Sequence, residues 1–251
     1  MSDGAAPLRL QACLNGARAV DDHPALPVRP RAVADDGRRC LVAGADGLHV
    51  HPRDEAGRES LDGDAIGRTV LAIRRVAPDS EVSVSTGAWI EPDPVRRLGR
   101  IRRWEHRPDV ASVNLSERGA AEVAETLIDL GIGVEAGIWS LADVDLLVAG
   151  GLASRCQRLL IEAVGGQPPD AAIGLVDAVL AALDDVGATG PRLVHGSGRS
   201  TWPVLERALA LGHATRIGLE DTRRLPDGRP AASNAELVSA AMRLVPRPQT
   251  A

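Results

Sequence analysis

The chain has 251 residues, 44% hydrophobic and 25% charged, with a formal net charge of −5; this suits a globular domain with a large core and excludes disordered and fibrous classes. The acidic balance argues against nucleic acid or an anionic membrane as the main partner and fits an enzyme of small molecules. All 29 basic residues are arginine and tyrosine is absent, which removes Schiff-base and pyridoxal lysines, the Walker A phosphate loop and any phenolic acid catalyst.

In chain order, short apolar runs alternate with helical periodicity. The pattern predicts strand Leu8–Leu14 with helix Arg31–Arg39, Gly47–Val50 with Asp64–Val76, Val82–Ser85 with Pro92–Trp104, and Ala111–Asn114 with Ala120–Leu130. It continues with Gly133–Ala136 and Leu141–Ala153, Leu159–Glu162 and Asp170–Asp185, Arg192–His195 and Thr201–Leu211, and Thr215–Leu219 and Asn234–Leu244. Several helices open on Asp, Ser, Thr or Asn and close on Gly. Eight alternations in this length are the arithmetic of a single-domain (β/α)8 TIM barrel, with a doubly wound sheet as the competing arrangement. Residues 1–7 and 246–251 read as frayed ends.

Cys13, Cys40 and Cys156 are odd in number and form no C-x-x-C pair. They read as buried, inert thiols of a reducing, cytoplasmic protein. No apolar run approaches the ~18 to 20 residues of a membrane span.

Polar residues gather at strand ends, where a barrel collects its active site from βα loops. His49 and His51 stand at i and i+2 and share one side of the second strand, a spacing that suits zinc but also an ordinary hydrogen-bonded pair. Pro52-Arg53-Asp54 follows, as a loop that could support metal ligands. On the eighth strand, Arg216, Gly218 and Glu220 share a face. Glu220 could complete a His2Glu set with Asp221 beside it as a free base, or the acids could simply cap a helix. Ser85-Thr86-Gly87-Ala88 offers hydroxyl and N–H groups for an oxyanion or reads as a turn. Ser112, Asn114 and Glu135 are substrate contacts or satisfied barrel residues, and Gly196-Ser197-Gly198-Arg199 is a phosphate cradle or a tight turn. Among the remaining histidines only His195 ends a strand.

Taken in order, Asn15-Gly16-Ala17, His49-Val50-His51-Pro52-Arg53-Asp54, Ser85-Thr86-Gly87, Ser112-Val113-Asn114, Glu135, Gly196-Ser197-Gly198-Arg199, Arg216-Ile217-Gly218-Leu219-Glu220-Asp221 and Ser233-Asn234-Ala235 resemble the beta-keto acid cleavage enzymes over nearly the whole chain. The resemblance implies a zinc-dependent barrel, a tendency to homo-oligomers, and transfer of CoA from acetyl-CoA to part of a β-keto acid, giving acetoacetate and a new acyl-CoA. It further implies His49, His51 and Glu220 as ligands and Asp221 as the base, oriented by Arg216 and Ser85. Substrate contacts would come from Arg18, Ser85, Gly87, Ala88, Ser112, Asn114 and Glu135, and the co-substrate would meet Gly196, Gly198 and Arg199. The family's aminohexanoate enzyme has glutamates for the substrate ammonium where this chain has Arg18 and Gly137, which implies a neutral or anionic substrate here. Ala88, Ser112 and Thr222 also depart from the usual family residues. A metal-dependent hydrolase of a small carboxylate or amide is the alternative activity, though its usual later histidines are replaced by Glu135 and Glu162. A barrel that only binds a ligand is the third reading.

Overall fold

The computed structural model describes residues 8–245; the frayed-end readings lie outside them. Eight strands pair in parallel into a closed barrel in chain order, β8 returning to β1. They are β1 (Leu10–Cys13), β2 (Gly47–Val50), β3 (Glu81–Ser85), β4 (Val110–Asn114), β5 (Gly133–Ile138), β6 (Arg158–Ala163), β7 (Arg192–Gly196) and β8 (Ala214–Ile217). The helices that return the chain are α1 (Pro30–Val42), α2 (Gly63–Val76), α3 (Pro94–Ile101), α4 (Ala120–Asp129), α5 (Leu141–Ala149), α6 (Pro169–Asp185), α7 (Thr201–Ala210) and α8 (Asn234–Met242).

Their starts follow from local chemistry. Pro94 occupies the first turn of α3, whose orphan N–H groups at Val95 and Arg96 donate to Asp93. Ser140 and Asp143 form a reciprocal capping box at α5, and the Ser233 hydroxyl accepts from Glu236 N–H at α8.

Strand alternation sorts two environments. Leu48, Val82, Val84, Val113, Val134, Ile161 and Val194 are fully or almost fully buried and form the apolar layer under the helices. A Cβ on Gly37 would meet the Leu48 side chain at 2.7 Å, so the bare glycine lets α1 lie close on β2. The barrel interior, by contrast, is polar. Gln11 Nε2 reaches across it to Glu135 Oε1 at 2.9 Å, and Ser83 Oγ donates to Glu135 Oε2 at 2.6 Å. These groups are buried, so each requires a partner, and together they form a hydrogen-bonded floor.

The eighth strand is shorter than the sequence predicts. The strand expected over Thr215–Leu219 ends at Ile217, and Gly218–Asp221 turns instead, with Asp221 and Thr222 N–H both donating to Gly218 O. A Cβ at Gly218 would collide with the Cys13 carbonyl, so the chain can turn against β1 only because the residue is glycine.

Candidate metal centre and active site

The mouth of the barrel opens on a cavity of about 500 Å³ that holds His49, His51, Glu220, Asp221, Arg216 and His195. The ligand atoms of His49, His51 and Glu220 lie within 4.8 Å of one another. The Gly218 turn explains how Glu220 and its neighbour Asp221 both enter: an extended strand would send consecutive side chains to opposite faces, so simple alternation from Arg216 does not describe this segment.

Each histidine is oriented through Nδ1. His49 Nδ1 lies 3.0 Å from Ser83 Oγ, which donates onward to Glu135. His51 Nδ1 lies 2.5 Å from Glu59 Oε1. Both arrangements leave Nε2 for an ion, as carboxylate-backed ligands do. Burial, helped by the charge of Arg216, pushes His49 well below the usual imidazole range, so it is the neutral ligand form. Burial pushes Glu59 up, but the His51 and Trp89 donors outweigh it and hold the carboxyl below its ordinary value. Glu220 Oε2 is buried without a hydrogen-bond partner. Two imidazole nitrogens and a carboxylate with a free, buried oxygen fit a zinc-type divalent ion.

Arg216 Nη2 donates to Glu220 Oε1 at 2.7 Å and Asp221 Oδ1 at 3.1 Å. His195, fully buried, lies between two acids: Nε2 is 2.8 Å from Glu162 Oε2, and Nδ1 is 3.3 Å from Asp221 Oδ1 without hydrogen-bond alignment. Burial and Arg216 lower the His195 pKa, but these carboxylates raise it above the ordinary value. Burial raises Asp221, and Arg216 and His195 more than reverse the effect. Asp221 is therefore an ionised carboxylate with Oδ2 unpartnered, able to accept a proton from a molecule in the cavity.

Of the other expected contacts, Arg18, Ser85, Ser112 and Asn114 line the cavity. Ser85 Oγ accepts from Gly87 N–H at 3.2 Å and, among the described residues, makes no hydrogen bond to Asp221. Glu135 lies in the floor, where it supports Ser83 and not the cavity wall. Gly87 makes room for the Trp89 ring, and Ala88 N–H donates to Glu117 at 2.8 Å. Gly198 N–H is taken by Asp221 O at 2.8 Å, Gly196 packs on Ser200, and exposed Arg199 reaches Gly166 O. Only Ser197 of that turn lines the cavity.

Arg53 and Asp54 support the ligands less directly than expected. Arg53 ties the loop to Gly16 O and Arg18 O at 2.8 and 2.6 Å, and Asp54 pairs with Arg58. Glu59 supports His51 instead, brought back by the Arg53–Glu59 bridge; no spacing signal marks it. Ser83 shares its strand face with Ser85, so alternation could have found it. Trp89, 47% exposed and stacked on His51, and Trp139, which donates to Glu162 at 2.9 Å, complete the walls.

The chain is similar to known proteins in sequence and fold. The sequence profile described as beta-keto acid cleavage enzyme covers residues 7–250. The 3-keto-5-aminohexanoate cleavage enzyme of Fusobacterium nucleatum is 25% identical over 94% of this chain and 90% of its own length. The 3-oxoadipate:acetyl-CoA acetyltransferase of Cupriavidus necator is 29% identical over 87% of this chain and 81% of its own. The solved apo structure of ObcA superposes with a TM-score of 0.73 at 19% identity, covering 88% of this chain, which spans 61% of the ObcA chain. Since the family profile spans the whole described barrel and both ends of the site, the chain belongs to the beta-keto acid cleavage enzyme family.

Proposed function

We propose that the chain is a zinc-dependent enzyme that condenses a neutral or anionic β-keto acid with acetyl-CoA and releases acetoacetate and a new acyl-CoA. The observation that carries this reading is the ionised Asp221 beside the His49–His51–Glu220 triad in one cavity. The acetyl-CoA-dependent relative supports the choice of co-substrate. His49, His51 and Glu220 would hold the ion, which when bound supplies Lewis-acid polarisation that acidifies the carbon between carboxylate and ketone.

Asp221 takes a proton from that carbon. The carbanion attacks the acetyl-CoA carbonyl, forming a C–C bond as the C–S bond breaks and CoA thiolate leaves. The thiolate then attacks the original ketone carbon, and the C–C bond to the former carbanion centre breaks. That centre recovers the proton from Asp221, giving acetoacetate, while the remaining acyl group leaves as its CoA thioester. Arg216 keeps Asp221 charged and aimed; Ser85, Ser112 and Asn114 offer hydroxyl and amide groups to the substrate. The chemistry suits a reducing cytoplasm, and a homo-oligomeric assembly follows the family habit.

The test is to load the protein with zinc, verify one ion per chain by elemental analysis, and follow acyl-CoA by mass with acetyl-CoA and β-keto acids of varied charge. Acyl-CoA from neutral or anionic members is the expected result. Bound zinc without acyl-CoA anywhere in the panel overturns the transferase reading, and preference for an amino-bearing acid overturns the substrate reading.

A further inference from the structure

We infer that Arg18 is a recognition point for a second carboxylate, so that the substrate is a β-keto dicarboxylate; this rests on the keto acid cleavage reading above. The charged groups of the cavity are partnered unequally. Arg216 is paired with Glu220 and Asp221, and His195 lies against Glu162 and Asp221. Arg18 differs. Its Nε donates to Leu219 O at 3.0 Å and its Nη2 to Glu220 O at 2.9 Å, both neutral acceptors. Among the described residues no carboxylate lies within ion-pair distance of it and Nη1 has no partner. A half-buried guanidinium in this state has its charge uncompensated, and a ligand carboxylate would gain charge-assisted hydrogen bonds there.

Apart from Glu220 and Asp221, which the reaction itself uses, the same cavity offers no free acid to a cationic substrate among the described residues. Glu162 accepts from Trp139 through one oxygen and contacts His195 with the other. Asp22, at the rim, accepts from Ala19 N–H at 3.1 Å and lies 3.8 Å from Arg223. Nor is there room to add an acid on β5: a Cβ at Gly137 would meet Asn114 Oδ1 at 2.7 Å and Glu162 Oε1 at 2.9 Å. Because Arg18 grips the carbonyl of the ligand Glu220, an anion bound to it sits at a fixed offset from the triad. That offset selects for the length of the diacid as well as its charge.

The test compares kcat/KM for a β-keto dicarboxylate with that for a neutral β-keto acid of equal length, in the wild type, Arg18→Gln and Arg18→Glu. Loosening the Leu219–Glu220 segment lowers both values and cancels in their ratio. The ratio should fall by about tenfold or more in Arg18→Gln, the scale of one lost charge-assisted hydrogen bond, and further in Arg18→Glu. An unchanged ratio, or a change confined to the KM for acetyl-CoA, overturns the inference. If no keto acid turns over even in the wild type, the reaction has been misread, and titration of the zinc-loaded protein with glutarate and butyrate decides the role of Arg18 separately. Tighter glutarate binding that is lost in Arg18→Gln supports it; equal affinities overturn it.

Discussion

The β2 side and the β8 side of the cavity supply the same triad by different means. On β2, side chains hold side chains: Ser83 and Glu135 stand behind His49, and Glu59 behind His51. On β8, Arg216 pairs with the Glu220 and Asp221 side chains, and contacts to the backbone fix the turn that carries them. Arg18 grips Leu219 O and Glu220 O, Gly198 N–H and the Thr201 hydroxyl hold Asp221 O, and Asn234 Oδ1 accepts from Leu219 N–H at 2.7 Å. Gly16, at a φ of 53°, has no Cβ to collide with the Glu220 side chain. The β2 side therefore tunes the tautomer and basicity of His49 and His51, whereas the β8 side fixes where Glu220 and Asp221 stand relative to each other, through the closure of the barrel itself.

The sharpest way to break this contrast is Asp221→Asn. Turnover should fall about 10² to 10⁴-fold, the usual contribution of a positioned base, with zinc content unchanged; retained turnover would remove Asp221 from the chemistry. Asn234→Ala attacks the backbone clamp. It removes buried bonds to Leu219 N–H, Leu14 O and Asp36, and urea denaturation of the metal-free protein should show a loss of about 2 to 4 kcal/mol. Glu59→Gln tests the other side: zinc affinity, read by competition with a chelator, should drop roughly 10 to 100-fold while metal-free stability hardly moves. If it lowers stability as much as Asn234→Ala does, the two sides are not built differently.

The pH response gives a smaller effect. Burial raises Glu162 and Asp221, but their cationic neighbours reverse this and hold both below ordinary carboxylate values. Their contribution is therefore present above the unfolded value of about 4 and lost as pH falls through the lower folded values. His195, raised when folded, has the opposite sign: its contribution is complete below about 6.5 and lost as pH rises through its folded value. The urea midpoint should fall on acidification below about pH 4, less steeply in Asp221→Asn. An equal slope would mean that Asp221 is not held in its charged form by folding. Smallest is thiol reactivity: Cys13 and Cys40 are buried, while Cys156 is only partly so and is pushed by burial up to about 11. Alkylation at neutral pH should be slow at all three thiols until denaturant is added.

The barrel was legible because eight apolar runs and eight helical stripes repeat locally, and each observed element overlaps its predicted range. His49 and His51 were legible for the same reason, since strand period alone puts them on one side. What lay beyond the sequence required contacts between distant segments. Glu135 could be read from the sequence as a substrate contact or as a satisfied barrel residue; which it is depends on the barrel stagger, which places it beside Ser83 and Gln11 in the floor. Glu59 returns to His51 through a loop bridge that no periodicity encodes. The Glu220–Asp221 turn replaces the predicted end of β8 because Gly218 packs on the Cys13 carbonyl, a contact between residues far apart in the chain.

In the proposed reaction, the substrate carbanion left when Asp221 takes the proton is captured by acetyl-CoA and not by a proton from water. Acetyl-CoA labelled with carbon-13 in its acetyl group, incubated with the zinc-loaded protein and a β-keto dicarboxylate, tests this directly. The label should appear in the methyl and ketone carbons of acetoacetate, and the new acyl-CoA should be unlabelled. Keto acid cleavage that proceeds without acetyl-CoA, or that leaves acetoacetate unlabelled, would contradict the account.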